Sequence, residues 1–184
     1  KRLKDGNKKV FLDLKLHDIP HTVSRSLKAL SFQGVDLINV HALGGREMLT
    51  QAALALKGSQ TKLLGVTHLT SLDQKALERE LGISRPLNES VGHLLEMCLG
   101  CGLHGIVCSA QEVFELKSQY PGDWMALTPG IRPTGSEKAD QKRVMTPSEA
   151  LKKGSDYLVV GRPITEALDP KEAFLKILTE VEEI

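Results

Sequence analysis

The sequence predicts an α/β fold in which a parallel sheet is built from repeated strand–helix units. Short apolar segments rich in β-branched residues alternate with helical segments along all 184 residues. Gly34, Gly102 and Gly154 each follow a predicted helix and precede a strand, at the C′ position where a left-handed residue is favoured. Such short connections from helix to strand are typical of parallel sheets.

Each predicted element follows from its local pattern. The apolar runs place strands at 10–15, 35–41, 61–67, 104–108, 124–128 and 157–161. Helical periodicity places helices near 21–33, 45–57, 88–101, 110–119, 146–153 and 170–182. Residues 1–10 indicate the basic end of a helix, a glycine turn and the entry into the first strand. Ser71 is predicted to cap a further short helix over 72–81.

Composition limits the function classes. The 24 basic residues nearly balance the 23 acidic ones, so bulk charge does not favour nucleic acid or a membrane surface as a partner. No apolar run has membrane-spanning length, and no signal peptide is visible. Three cysteines argue against a disulfide framework and for a reducing compartment, so a cytoplasmic location is expected.

Metal binding is not predicted. Cys98 and Cys101 form a C-x-x-C, but the chain has no second pair, and only His93 and His104 lie nearby in sequence. Cys98 falls in an apolar helical pattern and is interpreted as a small buried hydrophobe.

A TIM (β/α)8 barrel is favoured over a doubly wound open sheet. The chain lacks the G-x-G-x-x-G that often marks the first turn of a doubly wound sheet. Polar residues also recur at the carboxyl ends of successive strands, as expected at a barrel mouth. They are Asp13, Lys15, Asn39, His41, Thr67, Thr70, Ser109, Thr128, Gly161 and Arg162. Only about six βα units are present and the chain starts at Lys1, so residues 1–184 are expected to form a single partial barrel domain that lacks the first two units.

The first strand carries the strongest candidate for an active site. In FLDLKLHDIPHT (11–22), alternation places Asp13 and Lys15 on one face and Leu12, Leu14 and Leu16 on the other, buried face. A carboxylate and an ammonium on a mostly buried strand are costly to desolvate. A structural ion pair is the alternative interpretation. Asp18 follows where the strand meets a loop, the place where α/β enzymes carry their chemistry.

Two later segments indicate a phosphate site. TPGIRP (128–133) and VVGRPIT (159–165) follow the strands that would be seventh and eighth in a full barrel, where phosphate often binds. Gly161 permits a close backbone approach, and Arg162 can hold phosphate oxygens bidentately. The long polar segment 132–146, which contains Gln141 and Arg143, is interpreted either as a mobile lid or as a solvated insertion. His17 and His41 are not assigned to proton transfer.

These motifs together resemble the orotidine 5′-phosphate decarboxylase family of the bacterial type. The resemblance spans the chain and rests on FLDLKLHDIPHT, NVHALGG (39–45), GVTHLTS (65–71), TPGIRP, ADQKRV (139–144) and VVGRPIT. It implies decarboxylation of orotidine 5′-phosphate to uridine 5′-phosphate in pyrimidine biosynthesis, without cofactor or metal. It also implies a homodimer with shared active sites.

The resemblance also implies roles for individual residues. Lys15 would protonate C6 of the pyrimidine beside Asp13, and Asp18 would reach into the site of the partner subunit. The residues that would bind substrate are Ile19, Thr22, Thr70, Arg132, Gln141, Gly161 and Arg162. The family's ribose-binding Asp and second Lys come from strands that this chain does not contain.

Two alternatives are also compatible with these motifs. One is a magnesium-dependent sugar-phosphate decarboxylase or synthase of the same superfamily, in which the strand carboxylates would bind the metal. The other is a truncated, non-catalytic module that binds a nucleotide phosphate.

Overall fold

The computed structural model describes residues 2–133, 143–182 and 184. The chain divides into two compact units, Lys1–Thr67 with Val91–Ile106 and His68–Ser90 with Val107–Ile184. No helix in the described part of the chain is long and apolar enough to cross a membrane.

The predicted strands and helices are present, with bounds that differ from the expected ones by a few residues. The strands are β1 (Phe11–Leu16), β2 (Leu37–His41), β3 (Lys62–Val66), β4 (Gly105–Val107), β5 (Met125–Thr128) and β6 (Tyr157–Leu158). The helices are α1 (Arg2–Asp5), α2 (Pro20–Ser31), α3 (Gly45–Ala55), α4 (Gln74–Arg79), α5 (Leu87–Gly100), α6 (Ala110–Gln119), α7 (Pro147–Lys152), α8 (Arg162–Thr165) and α9 (Pro170–Glu182). A 3-10 turn, Ala42–Gly44, follows β2.

The first unit carries β1, β2, β3 and most of β4 as neighbours in sequence order. The β1–β2 and β2–β3 pairs are parallel, as predicted. Leu27 and Ile38 are fully buried, and α2 packs against α3. Gly65 of β3 lies against α5, where an added Cβ would come within 2.3 Å of the Cys98 sulfur.

The second unit contains the end of β4, then β5 and β6, again as neighbours in sequence order. The β5–β6 pair is parallel, with Leu127 opposite Tyr157. Ser109 caps α6 in a capping box, in which its side chain and that of Glu112 satisfy each other's backbone N–H groups. Ala110, Ile131 and Ala150 form a buried hydrophobic cluster in this unit, and Leu158 of β6 packs against it.

Two local predictions have clear outcomes. Gly34, Gly102 and Gly154 have φ angles of 68°, 87° and 97°, which confirms them as left-handed residues after helices. The prediction that Ser71 caps the short helix is wrong. Asp73 is the N-cap, because its carboxylate accepts the Ala76 N–H at 2.9 Å and the helix starts two residues later than expected.

The prediction that the first strand is regular and buried is also wrong in part. Leu14 is 46% exposed rather than buried. The β1–β2 register shifts between Leu12 and Leu16, so β1 contains a bulge rather than strict alternation. From the Leu12–Ile38 pair to the Leu16–Val40 pair, β1 advances four residues and β2 only two, so β1 carries two extra residues. These residues lie outside the regular pairing, and the apolar alternation of the sequence therefore does not give one continuous buried face.

Candidate active site

The structure brings Asp13 and Lys15 together, as the sequence predicts. The Lys15 Nζ lies 2.7 Å from both carboxylate oxygens of Asp13. The two side chains are 43% and 42% exposed, so the expectation of a mostly buried pair is wrong. Water still reaches both groups, and the desolvation cost is therefore smaller than a buried strand would impose.

Lys15 has an unusual backbone conformation. Its φ angle is 49°, in the left-handed region that residues other than glycine seldom adopt. Steric contact of the Cβ makes this conformation cost roughly 1–2 kcal/mol for an L-residue. Lys15 lies within the stretch between Leu12 and Leu16 over which the β1–β2 register shifts.

Asn39 of β2 contacts both members of the pair. Its Oδ1 accepts the Lys15 backbone N–H at 2.7 Å, and its Nδ2 donates to Asp13 Oδ1 at 2.6 Å. The Asn39 side chain is completely buried. Asp13, Lys15 and Asn39 thus form a small connected network at the carboxyl end of two neighbouring strands.

Two histidines lie close to each other in the same unit. The rings of His17 and His41 stack, with centroids 5.2 Å apart and an interplanar angle of 23°. Burial lowers the pKa of His41, and electrostatic interactions with His17 and Lys15 lower that pKa further. His41 Nδ1 is buried and has no hydrogen-bond partner among the described residues.

Asp18, Ile19 and Thr22 follow the strand on the surface of the first unit. The Asp18 carboxylate accepts the N–H of Ile19 at 2.6 Å and is exposed. Within 2–133, where both residues are described, it forms no ion pair with Lys15. Ile19 is 67% exposed, and Thr22 lies exposed in the first turn of α2.

The candidate phosphate residues belong to the second unit. Thr70 and Arg132 are only 6% and 8% exposed, and Arg132 Nη1 donates to the Ile131 carbonyl at 2.9 Å. Gly161 precedes α8, and Arg162 is the first residue of that short helix. Nothing lies within 4 Å of a Cβ added at Gly161. Gln141 lies outside the described residues.

Arg143 and Glu112 form a buried ion pair in the second unit. The guanidinium of Arg143 donates to the carboxylate of Glu112, and its Nη2 donates to the carbonyls of His68 and Leu69 at 3.1 and 3.0 Å. Burial lowers the pKa of the Arg143 guanidinium. Through these contacts Arg143 holds the chain immediately before Thr70.

The described residues contain no group of three or more His, Cys, Asp and Glu side chains arranged to hold a metal ion. Cys98 is fully buried, which confirms its interpretation as a small hydrophobe. Burial raises the pKa of its thiol to about 12.

The sequence placed Asn39 among the polar residues of the barrel mouth and Arg143 in the segment 132–146, but it indicated a role for neither, and it did not indicate Glu112 at all. Asn39 has a weak signal, a polar residue inside the buried strand LINVH. Glu112 has a clearer one, because Ser109-x-x-Glu112 is a capping-box pattern. The partners of Arg143 are set by tertiary contacts and leave no local signal.

Comparisons with known proteins indicate one protein family. Residues 1–177 match the family described as Orotidine 5′-phosphate decarboxylase / HUMPS. The orotidine 5′-phosphate decarboxylase of Streptococcus pneumoniae is 52% identical over 178 residues, which cover 97% of this chain and 76% of the relative. The protein of the same name from Streptococcus suis is 49% identical over 97% of this chain and 77% of its own length.

Solved structures agree with the sequence relatives. The orotidine 5′-phosphate decarboxylase of Lactobacillus acidophilus superposes with a TM-score of 0.84 at 40% identity, covering 98% of this chain and 78% of that chain. The Pyrococcus horikoshii enzyme of that name, at 23% identity and a TM-score of 0.73, shares the fold over 99% of this chain and 78% of that chain. These likenesses confirm the predicted fold class, an α/β chain that forms part of a TIM (β/α)8 barrel. By sequence, by fold and by the motifs that carry Asp13 and Lys15, the chain belongs to the orotidine 5′-phosphate decarboxylase / HUMPS family.

Proposed function

We propose that this chain decarboxylates orotidine 5′-phosphate to uridine 5′-phosphate, a step of pyrimidine biosynthesis. The observation that carries the proposal is the 52% identity, over 97% of the chain, to a relative named for that activity. The Asp13–Lys15 pair supplies chemistry that suits such a reaction. No cofactor is part of the proposal.

Lys15 is the proposed proton donor. When the bond from C6 to the carboxylate carbon breaks, carbon dioxide leaves and the electron pair remains on C6. An ammonium beside C6 stabilises this developing negative charge and then transfers a proton to it. Lys15 Nζ has three N–H groups and contacts two oxygens of Asp13, so a third donor has no partner among the described residues.

Asp13 has a separate proposed role. Its carboxylate fixes the ammonium from one side and adds negative charge near the substrate carboxylate that departs. Repulsion of this kind is relieved when carbon dioxide leaves, so it acts on the ground state more than on the transition state.

The phosphate of the substrate is assigned to the second unit. Arg132 and Arg162 carry the positive charge for a bidentate grip, and Gly161 offers open space at the start of α8. Thr70 is the proposed pyrimidine contact, and Gln141 stays a prediction. Binding energy at the phosphate, remote from C6, can be used to organise the reacting groups.

Turnover in the presence of a chelator tests the activity. Purified protein is mixed with orotidine 5′-phosphate, and uridine 5′-phosphate is measured by chromatography with EDTA or with added magnesium. We expect equal rates in both conditions. Strict magnesium dependence, with turnover of a sugar phosphate instead, would favour the magnesium-dependent alternative. Binding of uridine 5′-phosphate in calorimetry without any turnover would favour the non-catalytic module.

The role of Lys15 is tested by Lys15→Met, which keeps most of the side-chain volume. We expect turnover to fall below detection while calorimetric binding of uridine 5′-phosphate persists. Lys15→Arg should fail as well, because a guanidinium keeps its proton. Lys62→Met is the matched control, since Lys62 is an exposed lysine on β3 of the same unit. Near-full activity of Lys15→Met would remove the proposed role.

We further propose a homodimer in which Asp18 completes the site of the partner subunit. Two observations support this assignment. Asp18 is exposed, and among residues 2–133, which the structure describes, it forms no ion pair with the Lys15 of its own chain. In a two-fold dimer each protomer lends the residue that it borrows.

Mixing two inactive variants tests the shared site. Lys15→Ala and Asp18→Ala protomers are combined under conditions of proven subunit exchange, and activity is compared with each variant alone. We expect partial recovery, because one site of the mixed dimer has both residues intact. An absence of recovery would place Asp18 in the same site as its own Lys15.

A cytoplasmic location also stays a prediction. The free thiols of Cys98, Cys101 and Cys108 support it, since a reducing compartment keeps cysteines unpaired.

A further inference from the structure

We propose that Asn39 is a positioning residue that holds Lys15 and Asp13 in their reactive arrangement. The proposal rests on the proposed role of Lys15 as proton donor. Asn39 is assigned no contact with substrate; it acts through the backbone of Lys15 and the carboxylate of Asp13.

The hydrogen bonds require an amide at this position. The Lys15 N–H needs an acceptor, which Asn39 Oδ1 provides at 2.7 Å. The Asp13 carboxylate needs a donor, which Asn39 Nδ2 provides at 2.6 Å. An asparagine amide carries one acceptor and one donor group on the same carbon, and the two partners fix which atom is which. A hydrophobic residue of similar size offers neither.

The bulge explains why the backbone of Lys15 depends on a side chain. In a regular parallel pair, alternate residues of one strand donate their N–H groups to carbonyls of the neighbouring strand. The register shift between Leu12 and Leu16 removes Lys15 from that ladder. Asn39 replaces the missing acceptor and satisfies the Lys15 N–H.

The backbone of Lys15 is strained. Its φ of 49° lies in the left-handed region that residues other than glycine seldom adopt, so it persists only where other contacts hold it. Asn39 makes one hydrogen bond to that backbone and one to the charged Asp13, so it can hold the strained backbone and the orientation of Asp13 together.

Burial makes Asn39 a rigid support. Its side chain is completely buried, whereas Asp13 and Lys15 are each more than two-fifths exposed. Half-exposed charged side chains keep much of their rotamer freedom unless a fixed group restricts them. The buried amide of Asn39, on β2, is the fixed group that restricts Asp13 and Lys15.

Asn39→Ala is the first test, with three measurements. They are kcat with orotidine 5′-phosphate, the calorimetric affinity for uridine 5′-phosphate, and hydrogen exchange of the Lys15 amide by NMR. A displacement of reacting groups by about 1 Å costs up to about a hundredfold in rate. We expect kcat to fall about ten- to a hundredfold, the affinity to stay within about threefold, and the Lys15 amide to exchange at least about tenfold faster.

Thr61→Val is the matched control. Thr61 is buried in the same unit, and its hydroxyl donates to the Val35 carbonyl at 2.8 Å. The variant therefore removes one buried hydrogen bond without touching the pair. It should lose stability while kcat and Lys15 amide exchange stay at the wild-type values.

Asn39→Asp is the second test, and it uses a pH profile. The introduced carboxyl faces Asp13 and can replace the Nδ2 donor only when it is protonated. The ionisable groups that contact Asn39 are Asp13 and Lys15 of β1, and the stacked rings of His17 and His41 lie in the same unit. Taking the ratio of variant to wild-type kcat at each pH cancels the pH effects that the two proteins share. The ratio should rise as the pH falls.

Each outcome bears on one claim. Unchanged Lys15 amide exchange in Asn39→Ala would overturn the proposed hold on the backbone. The positioning role would be overturned if the Lys15 amide of Asn39→Ala exchanges faster while its kcat is unchanged, provided that Lys15→Met is inactive. A wild-type protein without decarboxylase activity would overturn the proposed function, while the exchange data would still decide whether Asn39 holds Lys15.

Discussion

The Glu112–Arg143 ion pair lies almost entirely out of water, with side chains 9% and 8% exposed. The two side chains differ in the other hydrogen bonds that they make. Arg143 also donates to the carbonyls of His68 and Leu69, whereas Glu112 also accepts the Ser109 N–H at 3.0 Å. We expect Arg143→Met to destabilise the protein more than Glu112→Gln does.

The magnitude follows from what each change leaves behind. Breaking a buried pair by removing one partner costs about 3–5 kcal/mol, because the other charge stays buried without compensation. Arg143→Met leaves a carboxylate with one backbone donor, so a loss of about 4–5 kcal/mol is expected. Glu112→Gln keeps the shape and the acceptor for Ser109, so the expected loss is about 2–3 kcal/mol. The double variant leaves no unpaired charge and should cost less than the sum.

Urea unfolding measures these free energies. With a slope of about 3 kcal/mol/M, a loss of about 4 kcal/mol lowers the urea midpoint by about 1.3 M. The control is the exposed pair of Glu172 and Lys176 on α9, whose side chains are 61% and 75% exposed. Neutralising either of these residues should leave the midpoint unchanged within error. The reasoning fails if Arg143→Met shifts the midpoint no more than the control does, or if the two single changes add in the double variant.

Three further predictions concern the first unit. Gly65→Ala places a Cβ 2.3 Å from the Cys98 sulfur and should lower the melting temperature, and Cys98→Ala in the same chain should recover most of the loss. Lys15→Gly should be more stable than Lys15→Ala by about 1 kcal/mol in urea unfolding, since glycine adopts the left-handed conformation without strain; equal stability would contradict that strain. The lowered pKa of His41 means that the folded state binds a proton more weakly than the unfolded chain, whose pKa is near 6.5. Stability should therefore be fully present above that pH and fall as the pH falls through the folded pKa, and His41→Gln should remove this loss from the urea midpoints.

The order of strands and helices could be predicted because its signals are local. Apolar runs, helical periodicity and the glycines after helices act within a few residues, and the structure reproduces them. The same holds for the contact between Asp13 and Lys15, which needs only two residues of one strand. Ser71 and Asp73 show the limit of such signals, because both are good caps and the chain used the later one.

The conformation of β1 could not be predicted because it depends on a neighbour. The letters FLDLKL alternate as a regular strand does, and nothing in them marks a bulge. The bulge arises where β1 meets β2, and Asn39 lies 24 residues beyond Lys15 in the chain. Arg143 is a stronger case, since the carbonyl of His68 that it contacts is 75 residues away. Contacts of that separation are decided by packing, which a single sequence does not reveal.

The left-handed backbone at Lys15 has a consequence for protein engineering. An Asp-x-Lys motif grafted onto a regular strand of another barrel would carry the two side chains without the bend between them. The minimal transferable unit is instead two strands: one with the shifted register, and a neighbour with a buried asparagine opposite the lysine. A design that copies three residues and their backbone should place the ammonium correctly, whereas one that copies the two charged residues alone should give an ordinary surface ion pair.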